Sequence, residues 1–237
     1  MSFQKIPLVA RHIILTAIIF ISLSACVTVP KPVAPVKPGK EVETLQSVVS
    51  LSVKSPVNSM GGNGYLIFKR PDRFHLVVLA PFGITVMEVF VNGERVTCLV
   101  PSKQTAYTGK FSELPAQNAL KGWSMMRWVV ETTSAANGAG GEMERLREDG
   151  RKEFLKFDER GLLQRKTNED GDQITYSKYQ QINGVAFPAT IEMRDRQGNT
   201  VKVSFDEPEI NQPVEEAALV PSLEGYTVLP LTDFRGV

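Results

Sequence analysis

Turn dipeptides punctuate most of this chain so closely that only short strands fit between them. Asn92-Gly93, Asp149-Gly150, Asp170-Gly171, Asn183-Gly184 and Gly198-Asn199 are hairpin or loop signals. Between such breaks lie runs rich in β-branched and aromatic residues, the composition of strands. The expected strands are Val48–Lys54, Tyr65–Lys69, Arg73–Ala80, Ile84–Val91, Glu94–Val100, Gln104–Tyr107, Met143–Arg147, Lys152–Phe157, Leu162–Lys166, Ile174–Tyr179, Thr190–Arg194 and Val201–Phe205. Roughly a dozen strands at this spacing predict a mainly β (α+β) protein, one antiparallel sheet curling toward a barrel.

One segment breaks the rhythm. Ala119, Leu120, Trp123, Met126 and Val130 recur at intervals of three and four, which predicts a helix over Gln117–Glu131 with Pro115 near its start. The run Phe74–Ala80 does not alternate: Leu76 and Val78 point one way and Val77 and Leu79 the other. Both faces of that strand must be covered, and the amphipathic helix is the expected cover for one. Pattern alone favours a filled interior over a cavity.

The N-terminus carries an address. Lys5 and Arg11 precede an apolar run, Ile13–Ile21, which ends at Leu23-Ser24-Ala25-Cys26. That is the layout of a secretory signal. It is similar to the bacterial lipobox, in which the cysteine is lipidated and becomes the first mature residue. Residues 1–25 are thus expected to be the signal, and Cys26 the acyl-bearing anchor. Each buried methylene contributes about 0.8 kcal/mol, so two or three chains, palmitate-like in size, hold a protein on a bilayer. The apolar run is too short to span one. Residues 26–42, with Pro30, Pro32, Pro35 and Pro38, read as a proline-rich tether. Val27 is not the aspartate associated with inner-membrane retention, so the expected location is the periplasmic face of the outer membrane.

Composition and motifs exclude several activities. The 27 basic residues less Lys5 and Arg11 leave 25 against 26 acidic ones, which disfavours a nucleic-acid partner. His75 is the one histidine after the signal, in an apolar strand where a hydrogen-bonded structural role is the expectation. Cys98 sits in Val96–Val100 and reads as a buried, inert thiol with no disulfide partner. There is no zinc-protease, nucleophile-elbow, paired-cysteine or phosphate-loop motif. Asp170-Gly171-Asp172 lacks the further ligands of a calcium loop. No enzyme, cofactor or metal is expected.

Pro81-Phe82-Gly83 joins two very apolar strands and places an aromatic ring at the tip. The default for such a ring is to fold back into the core. A protruding phenylalanine would instead gain roughly 1.5–3 kcal/mol on leaving water.

The stretch Asp72–Val89, with its Asp-Arg-aromatic start, aliphatic strand, Pro-Phe-Gly loop and second strand, resembles the LolB family of outer-membrane lipoproteins. Phe187-Pro188 before a strand, and Gly198 before Val201-Lys202-Val203, also fit. The resemblance covers most of Glu43 to Asp206, so residues 43–206 are expected to form the family domain and 207–237 an extension beyond it. It implies a curved antiparallel half-barrel of about eleven strands with a helical lid over a hydrophobic cavity. It implies an insertase that takes lipidated proteins from a periplasmic LolA-like carrier and inserts their acyl chains into the membrane, as a monomer. The family's loop carries a leucine where Phe82 stands, which implies a membrane-inserting role for Pro81, Phe82 and Gly83. The expected acyl-chain cavity is lined by Leu66, Phe68, Leu76, Val78, Val86, Phe90, Trp123 and Met126. Strand alternation places Glu88 beside Val86 and Phe90, so that wall is the least secure. The alternative reading is an envelope lipoprotein that binds a free lipid or another small apolar ligand without insertion.

Overall fold

The computed structural model describes residues 36–55, 59–114, 140–147 and 150–235. The expected signal, Cys26 and the expected helix with Trp123 and Met126 lie outside the described residues. Among the described residues, thirteen strands follow one another: β1 (Thr44–Lys54), β2 (Ser59–Lys69), β3 (Arg73–Leu79), β4 (Thr85–Asn92), β5 (Arg95–Val100), β6 (Thr105–Lys110), β7 (Gly141–Leu146), β8 (Lys152–Phe157), β9 (Leu163–Asn168), β10 (Gln173–Ile182), β11 (Val185–Arg194), β12 (Thr200–Ile210) and β13 (Thr227–Pro230). They form a single open sheet in the order β13-β6-β5-β4-β3-β2-β1-β12-β11-β10-β9-β8-β7. Every pairing is antiparallel except β13 on β6, which is parallel. The architecture is therefore mainly β, with two strands more than the eleven expected.

The sheet has two unlike faces. Cross-strand neighbours such as Leu66 and Leu76, Leu76 and Val89, and Val89 and Cys98 lie on one face, where they join one continuous apolar cluster. That cluster runs on through Leu45, Val49, Val203, Ile191, Ile174 and Leu155 on the more distant strands. Period-two alternation sends the intervening residues, including His75, Glu88 and Phe90, to the outer face.

Both chain ends of the described region are tied to the sheet. Residues 36–42, expected as the end of the tether, pack against it: Val36 and Val42 are buried. The Lys40 amide donates to the Gly184 carbonyl at 2.9 Å. Gly39 passes so close that an added Cβ would stand 2.1 Å from the Gly184 oxygen, a contact only glycine allows. Asn211 secures the entry to β1, accepting from the Glu43 amide at 2.8 Å and donating to the Glu41 carbonyl at 2.9 Å.

The extension after β12 has a structural role that the sequence pattern does not reveal. It forms a 3₁₀ turn, Glu216–Leu219, against β3, then β13 along β6. Leu231 and Phe234 drop into the main core, where Phe234 meets Tyr107 edge-on at 5.3 Å. β13 thereby covers the β6 edge, which would otherwise present unpaired backbone groups.

Candidate functional site

The apolar face of β2–β4 brings together most of the expected site. Leu66, Phe68 and Leu76 are buried in the main cluster, and the half-buried Val78 and Val86 pack against it. Val86 reaches that side because the β3–β4 register slips between Val78 and Leu79, leaving one extra residue on β4. Phe90 does not belong with them. It pairs with His75 across β3–β4 and packs with Leu99 and Ala106 in a separate cluster, with Tyr226 against it. Its place on the apolar face is taken by Met87, Val89 and Val91, which alternation assigns once the bulge is recognised.

That face is not apolar throughout. Toward the β7 edge, the buried Glu153 accepts from Arg145 Nη2 at 2.6 Å. The buried Lys166 amine lies 5.9 Å from the centre of the Tyr176 ring. The charge pattern of the sequence did not single out either residue, because each reads as one polar position on an alternating strand.

Pro81–Gly83 forms a single 3₁₀ turn between β3 and β4. The Ala80 amide donates to the Ile84 carbonyl at 2.8 Å, and the Gly83 amide to the Ala80 carbonyl at 3.2 Å. Phe82 takes left-handed backbone angles, φ 69° and ψ 14°, which are unfavourable for a bulky residue. Its side chain is 101% exposed, so the default expectation of a ring folded into the core is overturned. The strained backbone turns the ring away from the protein. Ile84 beside it is 66% exposed.

His75 occupies the outer face of β3. Nδ1 donates to the Ala218 carbonyl at 2.9 Å, and Nε2 lies 2.9 Å from Glu88 Oε2. Both ring nitrogens are thus committed, Nδ1 to the extension and Nε2 to Glu88 on the neighbouring strand β4. Lys69 and Arg73 bind the Glu216 carboxylate at the start of the same turn, and Leu219 is buried. On its outer face, β3 meets the turn of this extension. Burial among aliphatic side chains pushes the Cys98 thiol up to about 12. Among the described residues, no group of His, Cys, Asp or Glu is placed to hold a metal. No described helix is long and apolar enough to cross a membrane.

Among the described residues, the sheet thus presents one apolar face with a protruding aromatic loop beside it. The family model described as outer membrane lipoprotein LolB matches residues 44–207. The chain belongs to the LolB family. The match takes in β1 through most of β12 and the Phe82 loop, and leaves the rest of the extension outside it. No curated protein matches the chain. Among solved structures, a Vibrio parahaemolyticus domain described as an outer-membrane lipoprotein-sorting protein is similar, with TM-score 0.52 and 10% identity over 74% of this chain and 88% of that one. A LolA superfamily protein from Nitrosomonas europaea gives TM-score 0.50 and 12% identity over 77% and 92%. A DUF1329 family protein from Desulfovibrio piger gives TM-score 0.50 and 11% identity over 76% and 90%. At such identities these neighbours establish a LolA-like fold. LolB membership and that fold together support a role in lipoprotein trafficking.

Proposed function

We propose that this LolB-family protein is an outer-membrane insertase. Anchored through Cys26 on the periplasmic face, it receives lipidated proteins from a LolA-like carrier and delivers their acyl chains into the bilayer. The physical problem is solvation. Acyl chains with tens of methylenes, each contributing about 0.8 kcal/mol, do not cross water unaided. The apolar face of β2–β4, with Leu66, Phe68, Leu76, Val78 and Val86, offers them a surface close to hydrocarbon in character. Trp123 and Met126 on the expected helix would close over the guests, methionine adapting to irregular shapes.

The observation that carries the reading is Phe82. A left-handed phenylalanine with its whole side chain in solvent is unfavourable both in backbone angle and in hydration, and such arrangements cluster at functional sites. A bilayer relieves the hydration term when the ring dips in, by roughly 1.5–3 kcal/mol, enough for reversible contact and too little to anchor. The test is stepwise transfer of a labelled lipoprotein from the carrier to this protein and then to vesicles. Phe82→Glu should accept cargo at the wild-type rate and fail to insert it. Normal insertion by the variant would remove the loop from the mechanism. A protein that takes up free lipid but no lipoprotein would instead support the ligand-binding alternative.

A further inference from the structure

The C-terminal extension leaves two apolar side chains in solvent at a particular place. In the antiparallel run β1–β6, the β1–β2, β3–β4 and β5–β6 connections all lie at one end of the strands. Phe82 and Ile84 are in the second connection, and Pro101–Gln104 forms the third. The extension comes to that same end. From Ala218, bonded to His75 on β3, it crosses to β6, where the Thr227 amide donates to the Gln104 carbonyl at 2.8 Å. The Tyr226 amide donates to the Leu223 carbonyl at 3.1 Å, which fixes the turn carrying Leu223 beside the third connection. Leu219 and Tyr226 point inward as fasteners, while Val220 and Leu223 point out, 59% and 40% exposed.

We propose that Val220 and Leu223 form a second membrane contact, meeting the same anionic phospholipid surface as Phe82 and Ile84. This rests on the reading that Phe82 touches a bilayer and extends it to a segment outside the LolB-matched residues. Three features select a bilayer as the occupant. The four side chains are divided between two segments, the β3–β4 connection and the extension, a discontinuous array that suits a flat, deformable surface better than the groove of a folded partner. The exposed Lys54, the last residue of β1, and Lys103, in the third connection, lie at that end, complementary to anionic headgroups. The lipobox makes a bilayer the surface beside which the domain works. The extension therefore converts a single-point contact, free to pivot about Phe82, into a broader footing that fixes the domain's orientation over the membrane.

The experiment uses the full-length lipidated protein in phosphatidylethanolamine–phosphatidylglycerol vesicles. Phe82→Cys, Val220→Cys, Leu223→Cys and, as a control on the opposite end of β12, Glu209→Cys each carry an environment-sensitive NBD probe. Cys98 is buried and escapes labelling. The proposal predicts a blue shift, and quenching by bromine-labelled acyl chains, at positions 82, 220 and 223, with neither at 209. Quenching at 82 with none at 220 and 223 overturns the second contact and leaves the Phe82 reading standing. Quenching at none of the three overturns both.

Discussion

The imidazole of His75 lies stacked on the ring of Phe90, centroids 3.9 Å apart and 14° from parallel. This pair sits on the outer face of β3–β4, under Tyr226 and the turn that carries Ala218. It belongs to the fastening of the extension and not to the apolar face that we propose shelters acyl chains. Phe90→Ala should lower the free energy of unfolding by about 3 kcal/mol, measured by urea denaturation. Acceptance of cargo from the carrier should be unchanged in the same variant.

The fastening depends on pH through Glu216. Hydrogen bonds from Lys69 and then Arg73 hold its carboxyl below the ordinary value of 4.5. A carboxylate depressed in the folded state adds stability that is complete above its unfolded-state pKa and disappears as the pH falls through the folded one. The melting temperature of Glu216→Gln should therefore lie below that of wild type at neutral pH, and the two should converge as the pH drops below 4.5. A gap that persists unchanged at pH 3 would contradict the ion pair as its source.

Thiol chemistry separates two cysteines by two mechanisms. The Cys98 thiol, raised to about 12 by burial, should not react with Ellman's reagent at pH 8 in the native protein. In denaturant the protein should release one equivalent of chromophore if Cys26 is lipidated as proposed, because the lipid would occupy its sulfur. Two equivalents would show that Cys26 is unmodified.

Gly39 offers a way to detach the entry segment without touching the core. Gly39→Ala places a methyl group against the Gly184 carbonyl, so residues 36–40 should lift from the β10–β11 turn. The expected readout is faster amide exchange at Lys40 and about 1 kcal/mol of lost stability, with the β1–β12 ladder still protected.

Much of this fold is legible in the sequence because hairpins are local. Lys152–Phe157 has the predicted ends, since its alternation of buried and exposed residues is unbroken. β2 begins earlier than its side chains suggest: Gly61, Gly62 and Gly64 look like a loop, yet their backbones pair with β1. The placement of Phe90 fails for a different reason. A one-residue bulge between Val78 and Leu79 lets Val86 reach the apolar face while Phe90 stays on the other, and nothing local marks that bulge. The extension is least legible. Thr227–Pro230 is short and ends in proline, and its partner β6 lies more than a hundred residues earlier in the chain. The exposure of Phe82 depends on backbone strain that composition cannot report.

The most direct measurement of the central claim is a cargo lipoprotein with a photoreactive diazirine in its acyl chain, passed from the carrier to this protein, irradiated, and mapped by mass spectrometry. The account predicts adducts on the apolar face of β2–β4, at residues such as Val78 and Val86, and none at Phe90 on the reverse of the same strands. Adducts confined to the outer face, or complete transfer with no adduct on the sheet, would contradict it.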